Sequence, residues 1–171
     1  MRLKLLIIAS VLATSLGAAA AAPAGLSITW KDLVAGDAVT GKAEDAPLSE
    51  EFAGKEIRIE GYLLPTDREN DLVYEFMLVP WVGACSHMPQ PPVNQMVLVR
   101  PSTPYKLAEA YEPVAVTGKL RTGVERTQFF LLDGVIQLDV GYSIGRAEVE
   151  HMKNVDRPVA PGANPWKAIT K

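Results

Sequence analysis

Alternation between apolar and polar residues dominates the middle of the chain and predicts five β-strands. Along residues 56–64 the apolar side chains recur at every second position, which is the period of a strand with one buried face. Alternation or short apolar runs recur in four further segments, at residues 72–80, 95–100, 114–121 and 139–152. Because no comparably strong helical period competes with them, the pattern predicts a mainly β domain.

A single helix is expected between the third and fourth strands, over residues 103–111. Thr103 offers a capping hydroxyl, and Pro104 stands in the first turn, where its missing N–H is tolerated. Leu107 and Tyr111 then follow at helical spacing. Three strands, a helix and two further strands are the element order of the OB barrel. We therefore predict a five-stranded OB-like barrel with one helix between strands 3 and 4.

Two glycines lie where long strands of such a barrel would have to bend. Gly61 falls within the first predicted strand and Gly118 within the fourth, and a glycine inside a strand often marks a bend. One face of each strand should point into the core. The residues that we expect there are Ile59, Met77, Val97, Val116 and Ile144.

The two ends of the chain differ in composition from the β-rich middle. Residues 1–22 combine a basic start, an apolar run and a tail of small residues, which is the pattern of a secretory signal peptide. The apolar run is shorter than the about 20 residues that a membrane-spanning helix needs. We assign residues 23–46 to an N-terminal arm, 47–152 to the OB-like domain and 153–171 to a proline-rich C-terminal tail.

Signal cleavage would leave a periplasmic protein without a membrane span, about 150 residues long, which is the size of one domain. The signal segment carries Arg2 and Lys4 but no acidic residue, so its removal changes the formal net charge from −3 by two units to −5. Nucleic-acid binding requires a basic surface, so we expect no nucleic-acid partner.

Cys85 is the one cysteine of the chain, so it has no partner for an internal disulfide. His87 follows two residues later, and in an extended segment both side chains point to the same side. Cysteine and histidine are typical zinc ligands, and the pair also suits copper(I). His151 is the other histidine of the chain and is the expected third ligand. Water or a carboxylate such as Asp67, Glu69 or Glu75 would complete the coordination.

The segment after His87 is unusually stiff because it is rich in proline. Pro89, Pro91 and Pro92 each fix one backbone dihedral angle and lack an N–H donor. Such an arm could hold a metal site in place, or its prolines could protect a sheet edge from pairing. Equally, Cys85 could be a small buried apolar residue without a ligand.

The sequence also resembles a family of bacterial envelope proteins of unknown function, many of them lipoproteins. The residues that carry this resemblance are Gly83, Ala84, Cys85, His87, Pro89, Pro91, Pro92, Asn94 and Gln95. The resemblance implies an OB-like barrel, an exported location and gene neighbourhoods with transporter components linked to zinc supply. Because no cysteine lies near the signal cleavage region, we expect a free periplasmic form rather than a lipoprotein.

Two functions are therefore expected. The first is a periplasmic metal-binding accessory protein that supplies or buffers zinc, or a related ion, for an envelope transporter component. The second is a metal-free OB-type interaction module that docks an envelope protein or peptide through the proline-rich loop. Paired catalytic carboxylates, a phosphate-binding loop and a convincing nucleophile–base pair are not recognisable in the sequence, so we expect no enzyme.

Overall fold

The computed structural model describes residues 25–35, 47–82, 91–109, 111–131 and 134–153. The expected signal peptide and nearly all of the expected C-terminal tail lie outside these residues. The described strands are β1 (Leu26–Ser27), β2 (Glu56–Glu69), β3 (Leu72–Val79), β4 (Val97–Pro101), β5 (Tyr105–Lys106), β6 (Pro113–Leu131) and β7 (Gly134–His151). Two short 3-10 helices, Trp30–Leu33 and Val93–Gln95, accompany them.

The strands form one mixed sheet in the order β1-β2-β6-β7-β4-β3-β5. An additional pairing between β2 and β3 bends this sheet into a partial ring. Strands β1 and β2 are parallel, as are β4 and β7, whereas the other pairs are antiparallel. The mainly β character is confirmed, and each of the five predicted strands is present, although β2 and β7 are longer than expected and β6 is much longer.

The helix predicted over residues 103–111 is wrong, and so is the five-stranded OB-like barrel that contained it. Part of this stretch forms β5, in which Tyr105 pairs with Val73 of β3. The backbone N–H of Leu107 makes no helical hydrogen bond, because it donates to the carbonyl of Asp71 at 2.8 Å. These contacts satisfy the backbone through β3 instead of through a helical turn. The described chain is a seven-stranded mixed sheet.

Two apolar clusters lie on opposite faces of the sheet. Along β3, Phe76 and Leu78 belong to the first cluster, whereas Met77 and Val79 belong to the second. This alternation follows from the two-residue period of a strand and means that β3 is buried on both faces. The five expected core residues are all at most 1% exposed, with Met77 in the second cluster and the others in the first.

The long hairpin of β6 and β7 supplies one side of the second cluster. Its distal half pairs continuously from Glu125 and Val140 to Leu131 and Gly134. Phe129, Leu138 and Val140 from this half pack with apolar residues of β2, β3 and β4. The hairpin therefore covers the face of the sheet that the first cluster does not use.

Gly61 lies where β2 exchanges one neighbouring strand for another. On that edge β2 pairs with β1 at Ile57 and with β3 from Tyr62 onward. A Cβ atom at Gly61 would lie 2.8 Å from the carbonyl oxygen of Val79 and 2.9 Å from the ring of Trp30. Glycine is thus required here by close packing of the neighbouring chain segments.

Within the described part of the chain, no helix has the length and apolar character needed to span a bilayer.

Candidate functional site

Only one of the three predicted metal ligands falls within the structure as described. Cys85 and His87 lie outside the described residues. His151 is the last residue of β7, where it pairs with Val114 of β6. The structure therefore describes the part of the candidate site that surrounds His151.

The imidazole of His151 is held by a buried carboxylate. Its Nδ1 atom lies 2.6 Å from Oε1 of Glu112. The His151 side chain is 43% exposed, whereas that of Glu112 is only 3% exposed. One edge of the ring thus meets the protein interior while the side chain as a whole reaches solvent.

Glu112 collects hydrogen bonds from several donors. The hydroxyl of Tyr105 donates to its Oε1 atom at 2.5 Å, and the backbone N–H of Ala108 donates to its Oε2 atom at 2.8 Å. Burial alone would raise the pKa of Glu112, but the bonds from Tyr105, Ala108 and His151 outweigh burial and lower this pKa below its ordinary value. Glu112 is therefore an ionised carboxylate at neutral pH.

The same contact affects Tyr105. Burial, and then its hydrogen bond to the Glu112 carboxylate, raise the pKa of the Tyr105 hydroxyl above its ordinary range. Tyr105 therefore stays protonated and acts as a donor to Glu112. The three side chains form a chain of hydrogen bonds that runs from β5, through the residue before β6, to the end of β7.

A groove of about 340 Å³ opens at the end of the sheet where β3 and β7 finish. Pro80, which follows β3, and Met152, which follows β7, both line it. Trp30, Tyr62 and Pro113 contribute to the same lining. The end of β3, after which the chain continues towards Cys85 and His87, therefore lies at the end of the sheet where β7 terminates.

The strand register gives the separation between these two ends. Tyr62 of β2 pairs with Val79 of β3 on one side and with Pro113 of β6 on the other, and β7 is the next strand after β6. Three strand spacings amount to about 14 Å. Six residue steps, the number that separates Val79 from Cys85 in the sequence, span up to about 20 Å when extended, which exceeds this separation.

Among the described residues, no group of three or more His, Cys, Asp or Glu side chains is arranged to hold a metal ion. Glu75, considered as a further ligand, is engaged elsewhere. It lies 2.8 Å from the Nε atom of Arg100 and accepts a hydrogen bond from Thr66 at 3.0 Å. Of the three predicted ligands, the described residues contain His151, and the other two belong to segment 83–90.

A second polar cluster links strands β3, β4, β6 and β7. Arg100 bonds Glu75 on one side and Glu125 on the other, the latter at 3.2 Å, and Ser143 donates to Glu125 at 2.5 Å. The bond from Ser143, followed by those from Arg100, lowers the pKa of Glu125 despite partial burial. The cluster joins four strands across the face covered by the β6–β7 hairpin, which is a structural role.

The sequence did not point to Glu112 or Tyr105. Both fall within or beside the stretch expected to be helical, where their side chains would have been separated along the chain. Their meeting with His151 depends on the pairing of β5 with β3 and of β6 with β7. A carboxylate immediately before a proline-initiated strand is not by itself a recognisable sequence pattern.

The chain matches the family described as a protein of unknown function (DUF3299) over residues 26–151. A crystal structure of a DUF3299 family protein from Pseudomonas aeruginosa is 26% identical, with a TM-score of 0.58. The similarity covers 78% of this chain and 99% of that one. No match was found among curated proteins. Because the family match spans well over half of the sequence, the chain belongs to the DUF3299 family of proteins of unknown function.

Proposed function

We propose that the protein binds a metal ion, with zinc as the first choice, through His151, Cys85 and His87. The observation that supports this proposal is the groove that is lined both by Pro80, five residues before Cys85, and by Met152, the neighbour of His151. Chain reach from Val79 then allows the thiolate and the second imidazole to approach His151. The sequence alone offered no reason why these positions should be near each other.

The chemistry of this ligand set suits an exchangeable ion. One thiolate and two imidazoles are ordinary zinc ligands, and three protein ligands leave a fourth position open. An open position lets water or a group from another protein enter the coordination sphere. A site of this kind supports transfer of an ion better than permanent storage.

The proposed setting is the periplasm. The first 22 residues have the pattern of a cleaved signal peptide, and the mature chain would then meet metal ions outside the cytoplasm. We propose that the protein supplies or buffers zinc for an envelope transporter component. This role requires binding without catalysis, so the protein would not be an enzyme.

Calorimetric titration of the mature protein with zinc, under reducing conditions, tests the proposal. Cys85→Ser and His151→Ala should each weaken binding by more than about 100-fold, the upper end of the loss seen when only an outer hydrogen-bond partner is removed. Ser86→Ala is the matched control, because it changes the same segment without removing a ligand, and it should leave the isotherm unchanged. Binding should also weaken as the pH falls, because protons compete for the thiolate and the imidazoles.

Indistinguishable isotherms for the wild type and Cys85→Ser would exclude Cys85 as a ligand. The second candidate, a metal-free module that docks an envelope protein or peptide, would then be favoured. The supporting observation for it is again the groove, where Trp30 and Tyr62 lie beside two prolines. Aromatic-lined grooves are a recurrent way of holding extended, proline-rich peptides.

A further inference from the structure

We infer that Glu112 is a positioning residue that makes Nε2, and not Nδ1, the metal-binding atom of His151. The inference rests on the proposed function for its consequence, but its structural half concerns only described residues. It adds a residue that the sequence did not indicate, and it states which ring nitrogen is available.

The proton on the His151 ring follows from the hydrogen-bonding capacity of its neighbour. Both carboxyl oxygens of Glu112 already accept a hydrogen bond, Oε1 from the Tyr105 hydroxyl and Oε2 from the Ala108 N–H, so the Nδ1 atom 2.6 Å from Oε1 has to donate and carries the proton. In the neutral imidazole the other nitrogen then has no proton and presents its lone pair. Nε2 is therefore the atom left free to coordinate a metal.

The carboxylate itself has little freedom to turn away. The Tyr105 hydroxyl holds Oε1, and the Ala108 N–H holds Oε2, both within 2.8 Å. Because Glu112 is almost completely buried, no water is readily available to replace these donors. The carboxylate is thus fixed before any metal binds, and it fixes the imidazole in turn.

This arrangement also strengthens a metal bond at Nε2. A carboxylate that accepts the Nδ1 proton orients the ring and raises the basicity of the opposite nitrogen. Without the carboxylate, either ring nitrogen could carry the proton, and the ring could rotate about its χ2 angle. Glu112 therefore reduces the reorganisation needed when the ion arrives.

The substitution Glu112→Gln separates positioning from simple packing, because the two side chains have nearly the same shape. The backbone N–H of Ala108 can only donate, so the carboxamide oxygen should turn towards it. The carboxamide NH₂ group would then face His151, whose Nδ1 atom would have to accept. We expect this variant to move the ring proton from Nδ1 to Nε2 and so to block the proposed ligand atom.

The first experiment needs no metal. Long-range ¹H–¹⁵N correlation spectra of the mature protein, recorded at a pH where the spectra themselves show neutral imidazole, report which nitrogen of each histidine carries the proton. His87→Ala removes the other histidine of the chain and so assigns the signals. We expect protonated Nδ1 at His151 in the wild type and in Tyr105→Phe, and protonated Nε2 in Glu112→Gln. A wild-type ring protonated at Nε2 would overturn the inference, even if Glu112→Gln failed to fold.

The second experiment is zinc titration of the same proteins. Glu112→Gln should weaken zinc binding by about 10–100-fold, the usual cost of losing such a partner, and Tyr105→Phe should weaken it less. Wild-type zinc affinity retained in a folded Glu112→Gln protein would refute the positioning role. If the wild type bound no zinc while its spectra showed protonated Nδ1, the proposed function would fail, whereas the assignment of the proton by Glu112 would stand.

Discussion

Replacement of Tyr142 by phenylalanine should destabilise the fold through the loss of one hydroxyl group. Tyr142 is fully buried in β7. Its hydroxyl donates to the carbonyl of Leu33 at 2.5 Å and accepts the N–H of Ser49, also at 2.5 Å. A single oxygen thus ties the first 3-10 helix and the segment before β2 to the sheet.

The loss of stability depends on whether the Leu33 carbonyl and the Ser49 N–H find other hydrogen-bond partners once the hydroxyl is removed. A buried polar group left without a partner costs about 1–3 kcal/mol. However, the N–H of Ser49 also lies 3.4 Å from the carbonyl of Leu33, so the two groups can bond each other when the hydroxyl is absent. Since Tyr142→Phe retains the ring and creates almost no cavity, we expect a net loss of about 1–2 kcal/mol, near the value of one hydrogen bond.

Urea unfolding measures this loss directly. Tyr142→Phe should lower the midpoint without changing the slope, because the surface exposed on unfolding is nearly the same. Tyr74→Phe is the matched control: Tyr74 is 41% exposed, and its substitution should change stability by less than about 0.5 kcal/mol. Equal midpoints for Tyr142→Phe and the wild type would show that the hydroxyl does not hold these segments, and the reasoning would be refuted.

Two further substitutions test other parts of the fold. Gly61→Ala should lower the free energy of unfolding by about 1–3 kcal/mol, the range for overpacking, because the new Cβ would meet the carbonyl oxygen of Val79 at 2.8 Å. Gly145→Ala is the control, since its Cβ would have no neighbour within 4 Å, and it should lower the free energy of unfolding much less in the same urea assay. Glu125→Gln should be less stable than the wild type at neutral pH, because the folded state lowers the pKa of Glu125 and so favours its ionised form. This contribution to stability is present at pH values above the ordinary pKa of 4.5 and is lost as the pH falls through the folded-state pKa. Thermal unfolding from neutral pH to about pH 3 should show the difference shrinking, and Ser143→Ala should reduce the acid sensitivity; a difference that stays constant would contradict this explanation.

The strands were predictable wherever one face alternates with the other. In β2, Ile57 and Ile59 are buried beside the less buried Arg58 and the exposed Glu60, so the pattern in the sequence is the pattern of burial. The distal half of β6 and β7 was not predictable in this way, because one of its buried residues is the polar Thr127 and one of its exposed residues is the apolar Val135. Polarity along the sequence therefore does not report which positions are buried there.

The helix prediction failed because local sequence preferences were outweighed by tertiary contacts. Thr103 and Pro104 are compatible with a helix start, but both residue types are equally common in turns such as the one that precedes β5. Pairing of Tyr105 with Val73 and the hydrogen bonds to Glu112 select the turn. Both contacts join residues whose proximity no local pattern records.

The candidate site was only partly predictable, because it too depends on contacts between residues that are distant in sequence. His151 could be named from residue type alone, because cysteine and histidine are scarce in this chain. The carboxylate that holds it could not, since acidic residues are common and only the register of β6 with β7 selects Glu112.

The parallel pairing of β4 with β7 has a consequence for how fast the chain folds. Val97 pairs with Tyr142 and Val99 with Ile144, each 45 residues later in the sequence. The partial ring therefore cannot close until β7, the last strand, pairs with β4, a contact far more distant in sequence than those within the β2–β3 and β6–β7 hairpins. Such non-local pairings slow folding to the range of milliseconds to seconds, roughly as for other β-rich domains. Until β7 docks, one edge of β4 remains unpaired and open to pairing with another chain, so the final strand sets both the folding rate and the period during which aggregation competes with folding.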